Sequence, residues 1–248
     1  MDPARQVCQT GCIPIVKPAQ MTSDLPMGPL VVGTIHSPAA LKDALRLRKG
    51  EVDLLEVRVD HFVTELQLLD RALPKLRFPL LVTVRHPKEG GAAALTNSER
   101  IELYRKYLPA AAMIDVELQS AAAFRTFLEE ARSLDVFRVL SWHDFRSTPS
   151  LESLQARWVA AAAFRPDVIK FATTTKKAGH LVTLLTLLAA SPGKPATSLM
   201  GMQAFGKVSR LTLAAAGSRL NYGYLGEPQV PGQWPARLLK ERLAELGT

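Results

Sequence analysis

From residue 30 onward, short runs of consecutive apolar residues, many of them β-branched, alternate with longer stretches whose apolar residues recur every three or four positions. The short runs are LVVGTI (30–35), DLLEVRVD (53–60), PLLVTVR (79–85), AMIDVEL (112–118), FRVLSWHDF (137–145), DVIKFAT (167–173), PATSLMG (195–201) and RLNYGYLG (219–226). Helical spacing marks 37–50, 96–108, 120–134 and 151–164, and Asn97 or Ser98, Ser120 and Ser150 stand where N-caps are expected. Apolar strands separated by helices predict a parallel sheet with both faces covered. Eight such units in 248 residues predict an α/β fold, one (β/α)8 TIM barrel over 30–248. An open doubly wound sheet is the rival, but no GxGxxG follows the first strand. Residues 1–29 are Pro-rich and aperiodic, and are expected as a flexible leader or a short flap over the N-terminal end of the barrel.

A barrel gathers its active site at the C-terminal ends of its strands, so the polar residues there become candidates. Strand two ends in Glu56, Arg58 and Asp60; strand three in Arg85, followed by Glu89; strand four carries Asp115 and Glu117; strand five carries His143 and Asp144. Lys170 stands between Ile169 and Phe171 in strand six, Ser209 and Arg210 follow strand seven, and Gln229 and Gln233 follow strand eight. Each also has a purely architectural reading: Arg58 with Glu117 as an internal ion pair, His143 as a hydrogen-bonded core histidine, Lys170 as a snorkelling side chain.

Composition narrows the classes. The chain is 47% hydrophobic, and no apolar run approaches the roughly 20 residues that span a bilayer. The N-terminus lacks the basic-then-apolar pattern of a secretory signal, which makes a cytoplasmic protein with no membrane partner the expectation. Net charge is +8 and the isoelectric point about 9.7. The charge is spread, densest at LKDALRLRKG (41–50), and no nucleic-acid motif accompanies it, so no nucleic-acid partner is expected. Cys8 and Cys12 are not spaced as CxxC and have no neighbouring histidine, so no metal is expected.

In order and in spacing, EVRVD, TVRHPKEGG, SWHDF, DVIKFAT, the M-G-x-x-x-x-G-x-x-S-R pattern of MGMQAFGKVSR and the C-terminal PGQ resemble the motifs of type I 3-dehydroquinate dehydratase, from about residue 30 to the end. The resemblance implies a barrel enzyme of the shikimate pathway, a homodimer that removes water from the anion 3-dehydroquinate without metal or organic cofactor. By motif position it implies that Lys170 forms the imine, His143 moves the proton and Glu89 orients the histidine. Glu56, Arg58, Arg85, Arg210 and Gln233 fall on substrate-binding positions, with Arg210 on the carboxylate-binding arginine. Gln229 stands where the family has serine; its longer side chain predicts a different closure of the last loop.

The chemistry of these residue types points the same way. An amine attacks a ketone only when neutral, and burial among arginines lowers a lysine's pKa. The iminium that follows acidifies the adjacent C–H enough for an imidazole of ordinary pKa to remove the proton. Two alternatives stay open: another Schiff-base lyase of the class I aldolase kind, and a barrel that binds an anion without catalysis.

Overall fold

The computed structural model describes residues 25–247. Strands β1 (Leu30–Ile35), β2 (Leu54–Arg58), β3 (Leu80–Thr83), β4 (Met113–Glu117), β5 (Phe137–Asp144), β6 (Val168–Thr174), β7 (Ala196–Met202) and β8 (Leu220–Tyr224) pair in parallel in chain order, and β8 returns to pair with β1. Helices α1 (Pro38–Ala44), α2 (Leu66–Ala72), α3 (Asn97–Tyr107), α4 (Arg125–Ser133), α5 (Leu151–Ala162), α6 (Ala178–Ala190), α7 (Gly206–Ala215) and α8 (Ala236–Glu245) follow the successive strands. This is the expected (β/α)8 barrel.

The seam between β7 and β8 is closed in two ways. Near the strand starts, Arg219 N donates to Thr197 O (3.0 Å), Leu220 N to Ser198 Oγ (2.8 Å) and Leu199 N to Ser218 Oγ (2.9 Å). Further up, the loop after β8 crosses the gap: Gln203 N donates to Pro231 O (2.9 Å), and a two-residue strand, β9 (Trp234–Pro235), pairs with Gly223 and Tyr224. That crossing needs glycine. A Cβ at Gly232, where φ is +86°, would lie 2.4 Å from Gln203 O, and one at Gly206 would lie 2.6 Å from Gly232 O.

Two apolar cores follow from the two-residue alternation of strand side chains. Val31, Leu55, Val57, Val82, Ile114, Leu140, Ile169 and Phe171 face the helices. Leu30, Val32, Leu54, Leu81, Met113, Val139, Val168 and Leu220 fill the lower barrel interior. Continuing the inward phase up each strand gives Glu56 and Arg58, Thr83, Asp115 and Glu117, Ser141 and His143, and Lys170, so the interior turns polar toward the C-terminal ends. Lys170 thus shares a strand with buried Ile169 and Phe171 while projecting to the opposite side.

Several local expectations are corrected. Strand two stops at Arg58, where a 3-10 turn (Val59–His61) takes over, and strand three stops at Thr83, so Arg85 lies beyond it. The cap of α3 is Thr96, in a reciprocal box with Glu99, rather than Asn97 or Ser98. Ser120 sits in a 3-10 turn and α4 starts later, at Arg125. Ser150 caps α5 as expected. Of the leader, Leu25 packs against the barrel-interior cluster and Arg219 donates to Pro26 O; residues 1–24, with Cys8 and Cys12, lie outside the described residues.

Candidate active site

A cavity of about 430 Å³ opens at the C-terminal end of the barrel, and the nine residues picked out by the resemblance line it: Glu56, Arg58, Arg85, Glu89, His143, Lys170, Arg210, Gln229 and Gln233; the other strand-end candidates, Asp60, Asp115, Glu117, Asp144 and Ser209, stand behind or beside it. The nine arrive from six separate strand ends and loops, which is what the closure of the barrel accomplishes.

Lys170 is 3% exposed, and its Nζ donates to Asp115 Oδ2 at 2.9 Å. Burial lowers its pKa, Asp115 and Glu56 oppose the shift, and the charge of Arg85 adds to it. Asp115 is in turn gripped by Arg85, whose Nη1 and Nη2 reach Oδ1 and Oδ2 at 2.9 and 3.0 Å, and by Ser141 Oγ at 2.5 Å. Although burial works against ionisation, Arg85 and Lys170 hold the Asp115 carboxyl far below the usual carboxylate range. Arg85 also reaches Glu117 at 3.1 Å, and Glu117 is bound from outside the barrel by Arg100 of α3. The result is a buried chain of alternating charge, Arg100–Glu117–Arg85–Asp115–Lys170. The Arg58–Glu117 pair considered from sequence does not form; Arg58 instead grips Asp60 at 3.0 and 2.8 Å.

His143 Nδ1 lies 2.9 Å from Glu89 Oε2, which also accepts from the His143 backbone N–H at 3.0 Å. Gln119 Nε2 holds the other carboxylate oxygen at 2.7 Å. Glu89 reaches this position because the chain turns back after Arg85: Gly90 is left-handed, and a Cβ at Gly91 would sit 2.3 Å from Arg85 O. Burial raises the Glu89 pKa to about 7, with Arg85 opposing. His143 departs from the expectation of an ordinary imidazole, since burial and then the charges of Arg85 and Lys170 push its pKa well below 6.5. The ring is therefore neutral at physiological pH, and its Nε2 has no hydrogen-bond partner among the described residues.

The cations divide into committed and uncommitted. Arg58 and Arg85 are neutralised by carboxylates. Arg210, which lies within α7 rather than in the loop before it, is 2% exposed, donates from Nη1 to Tyr222 O at 2.7 Å, and leaves Nε without a hydrogen-bond partner among the described residues. No carboxylate among the described residues pairs with it, and burial alone lowers its pKa to about 10. A buried, still-protonated guanidinium with an unused N–H is a receptor for an anion. Glu56 accepts from Thr34 Oγ1 (3.1 Å) and Thr83 Oγ1 (2.9 Å). Gln233 Oε1 accepts the backbone N–H groups of Gln229 (2.7 Å) and Val230 (3.3 Å), bracing the last loop, while the Gln229 amide approaches His61 Nε2 at 3.5 Å.

Two other residues of the motif stretches do different work. Ser209 ties β7 to α7 by accepting from Gly201 N and donating to Gly206 O. Asp144 caps the turn at Arg146 and Ser147. Sequence reasoning missed Ser141, Tyr222 and Arg100. Ser141 was legible as the inward position two before His143, and Arg100 as the start of an i, i+4, i+7 buried set with Tyr104 and Tyr107. Tyr222 had no signal beyond its phase in β8.

Residues 30–248 match the family model described as type I 3-dehydroquinase. The 3-dehydroquinate dehydratase of Thermococcus onnurineus is 32% identical over 221 residues, covering 88% of this chain and 99% of the relative. The catabolic 3-dehydroquinate dehydratase of Acinetobacter baylyi is 29% identical over 252 residues, covering 93% and 92%. Among solved structures, type I 3-dehydroquinate dehydratase of Clostridium difficile with covalently modified comenic acid shares the fold at a TM-score of 0.80 and 24% identity, covering 89% of this chain and 93% of that one. The Enterococcus faecalis 3-dehydroquinate dehydratase superposes with a TM-score of 0.72 at 27% identity, covering 89% and 95%.

Proposed function

The chain belongs to the type I 3-dehydroquinase family, and from that premise we propose that it dehydrates 3-dehydroquinate to 3-dehydroshikimate through an imine on Lys170. It is a 3-dehydroquinate dehydratase of the shikimate pathway. The observation that carries the covalent step is the state of Lys170, buried in the cavity with a lowered pKa and, among the described residues, one hydrogen-bonding partner, Asp115.

In this reading the neutral Lys170 amine adds to the substrate ketone, water leaves, and the resulting iminium draws electrons from the adjacent carbon. His143, neutral and held through Nδ1 by Glu89, takes the proton at Nε2 and returns it to the departing hydroxyl. Arg210 binds the substrate carboxylate, for which it has no internal competitor. Glu56 and Arg58 present a carboxylate and a guanidinium to the substrate hydroxyls from the β2 side, Arg85 organises the carboxylates beneath the substrate, and Gln229 and Gln233 close over it. This chemistry calls on no metal or organic cofactor. Among the described residues no helix is long and apolar enough to cross a membrane. The further reading is of a cytoplasmic homodimer whose catalytic domain is the barrel, 30–248.

Borohydride added with 3-dehydroquinate tests the covalent step. The expected result is an irreversible mass adduct on the peptide containing Lys170, alongside enone absorbance from untreated enzyme. Turnover with no adduct, or an adduct on another residue, removes Lys170 from the role.

A further inference from the structure

The Lys170 nitrogen has a second neighbour besides Asp115. It lies over the ring of Tyr222, 4.0 Å from the centroid. Tyr222 is 4% exposed on the inward phase of β8, its hydroxyl is buried without a hydrogen-bond partner among the described residues, and its carbonyl is the group that holds Arg210. An unpartnered hydroxyl means that no polar network fixes this side chain. What the side chain contributes to the lysine is its face. Asp115 has both oxygens shared with Arg85 and one also with Ser141, so the ammonium receives only part of that carboxylate, and the ring covers another of its sides.

We propose that Tyr222 is a catalytic residue of this centre: the negative face of its ring stabilises positive charge on the Lys170 nitrogen, in the ammonium of the free enzyme and in the iminium formed with the substrate. The second half of the proposal rests on the imine reading above. Amine, ketone and one proton from solvent give the iminium and one water. The nitrogen keeps one N–H, which Asp115 Oδ2 accepts, and a planar cationic face, which the ring covers. Aromatic faces hold desolvated cations by quadrupole attraction, an effect of about 3- to 30-fold in population.

The test separates ring from hydroxyl and from shape. Tyr222→Phe keeps the face; Tyr222→Leu removes it; pentafluorophenylalanine at position 222 keeps the shape and reverses the quadrupole, so folding is not in question. Without substrate, the pH midpoint for reaction of Lys170 with methyl acetimidate is read from the mass of its peptide. The expected midpoint is unchanged in the Phe protein and lower by about 0.5–1.5 pH units in the Leu and fluorinated proteins, because the ammonium has lost its support. With subsaturating 3-dehydroquinate, the borohydride-trapped fraction falls in the same two proteins. Wild-type midpoint and trapping in the fluorinated protein overturn the proposal, and so does a Phe protein as impaired as the Leu protein, which would assign the function to the hydroxyl. Failure of the imine reading is distinct, since wild-type enzyme would then turn over without any adduct.

Discussion

Arg210→Met should weaken substrate binding severely while leaving the empty protein about as stable as before, an unusual pairing for a buried residue. The wild-type guanidinium is buried without a carboxylate partner among the described residues, and burial lowers its pKa from the ordinary arginine range to about 10, a cost to the folded cation of about 3 kcal/mol. Methionine keeps much of the stem's packing and removes that cost. It also removes the hydrogen bond to Tyr222 O, a charge-assisted bond worth about 1.5–3 kcal/mol. The two terms nearly cancel, so the melting temperature should stay within a few degrees of wild type, given roughly 2–4 °C per kcal/mol for a chain of this size. Substrate loses the partner of its carboxylate, about 2–5 kcal/mol, or roughly 30- to 5,000-fold in KM. Arg210→Lys should recover part of this, because an ammonium supplies charge without the planar fork. Steady-state kinetics by enone absorbance and thermal melting on one preparation decide the matter. A KM within about threefold of wild type would place the anion site elsewhere, and a melting temperature lowered by more than about 10 °C with normal activity per folded molecule would make Arg210 a structural residue.

His143→Gln should still give the borohydride adduct on Lys170 while turnover falls by about 10²- to 10⁴-fold; mass spectrometry and absorbance read the two steps separately, and a stable variant with full activity would end the base assignment. The wild-type rate should fall as pH drops through about 7, because Glu89 has its pKa raised to about 7 and, once protonated, offers the Nδ1 hydrogen of His143 only an uncharged, weaker acceptor and no longer supports the imidazolium. In Glu89→Gln that limb should disappear and the rate at pH 8 should drop; an unchanged limb would assign it to another group. Gly232→Ala forces a Cβ to within 2.4 Å of Gln203 O at a φ of +86°, so it should displace the last loop, raise KM and cost about 1–2 kcal/mol in urea unfolding; unaltered KM would show that the loop does not close on substrate.

The alternation of strands and helices, and with it the barrel, was legible from residue 30 onward because both periodicities are local properties of the chain. The position of Lys170 between Ile169 and Phe171 was legible too, since a two-residue repeat puts opposite chemistries on opposite faces of one strand. Order and spacing of the motifs brought out Glu56, Arg58, Arg85, Glu89, His143, Arg210, Gln229 and Gln233 as one set. Partnership was not legible. Arg58 and Arg85 look alike in sequence, and only the fold gives Arg58 to Asp60 and Arg85 to Asp115 and Glu117, leaving Arg210 as the cavity arginine with no carboxylate partner among the described residues. The pKa of His143 was misjudged for the same reason: burial and the charges of Arg85 and Lys170, which lie 58 and 27 residues away in the sequence, set it. Tyr222 reaches Lys170 because eight strands close into a ring that brings the last up to the seventh, two places from the sixth, with both side chains facing the interior, and Arg100 reaches Glu117 because a helix packs on the strand that follows it. Local pattern determines which elements form and which way each residue points; the electrostatic state of a side chain is a sum over neighbours, and neighbours across a barrel are chosen only when the sheet closes.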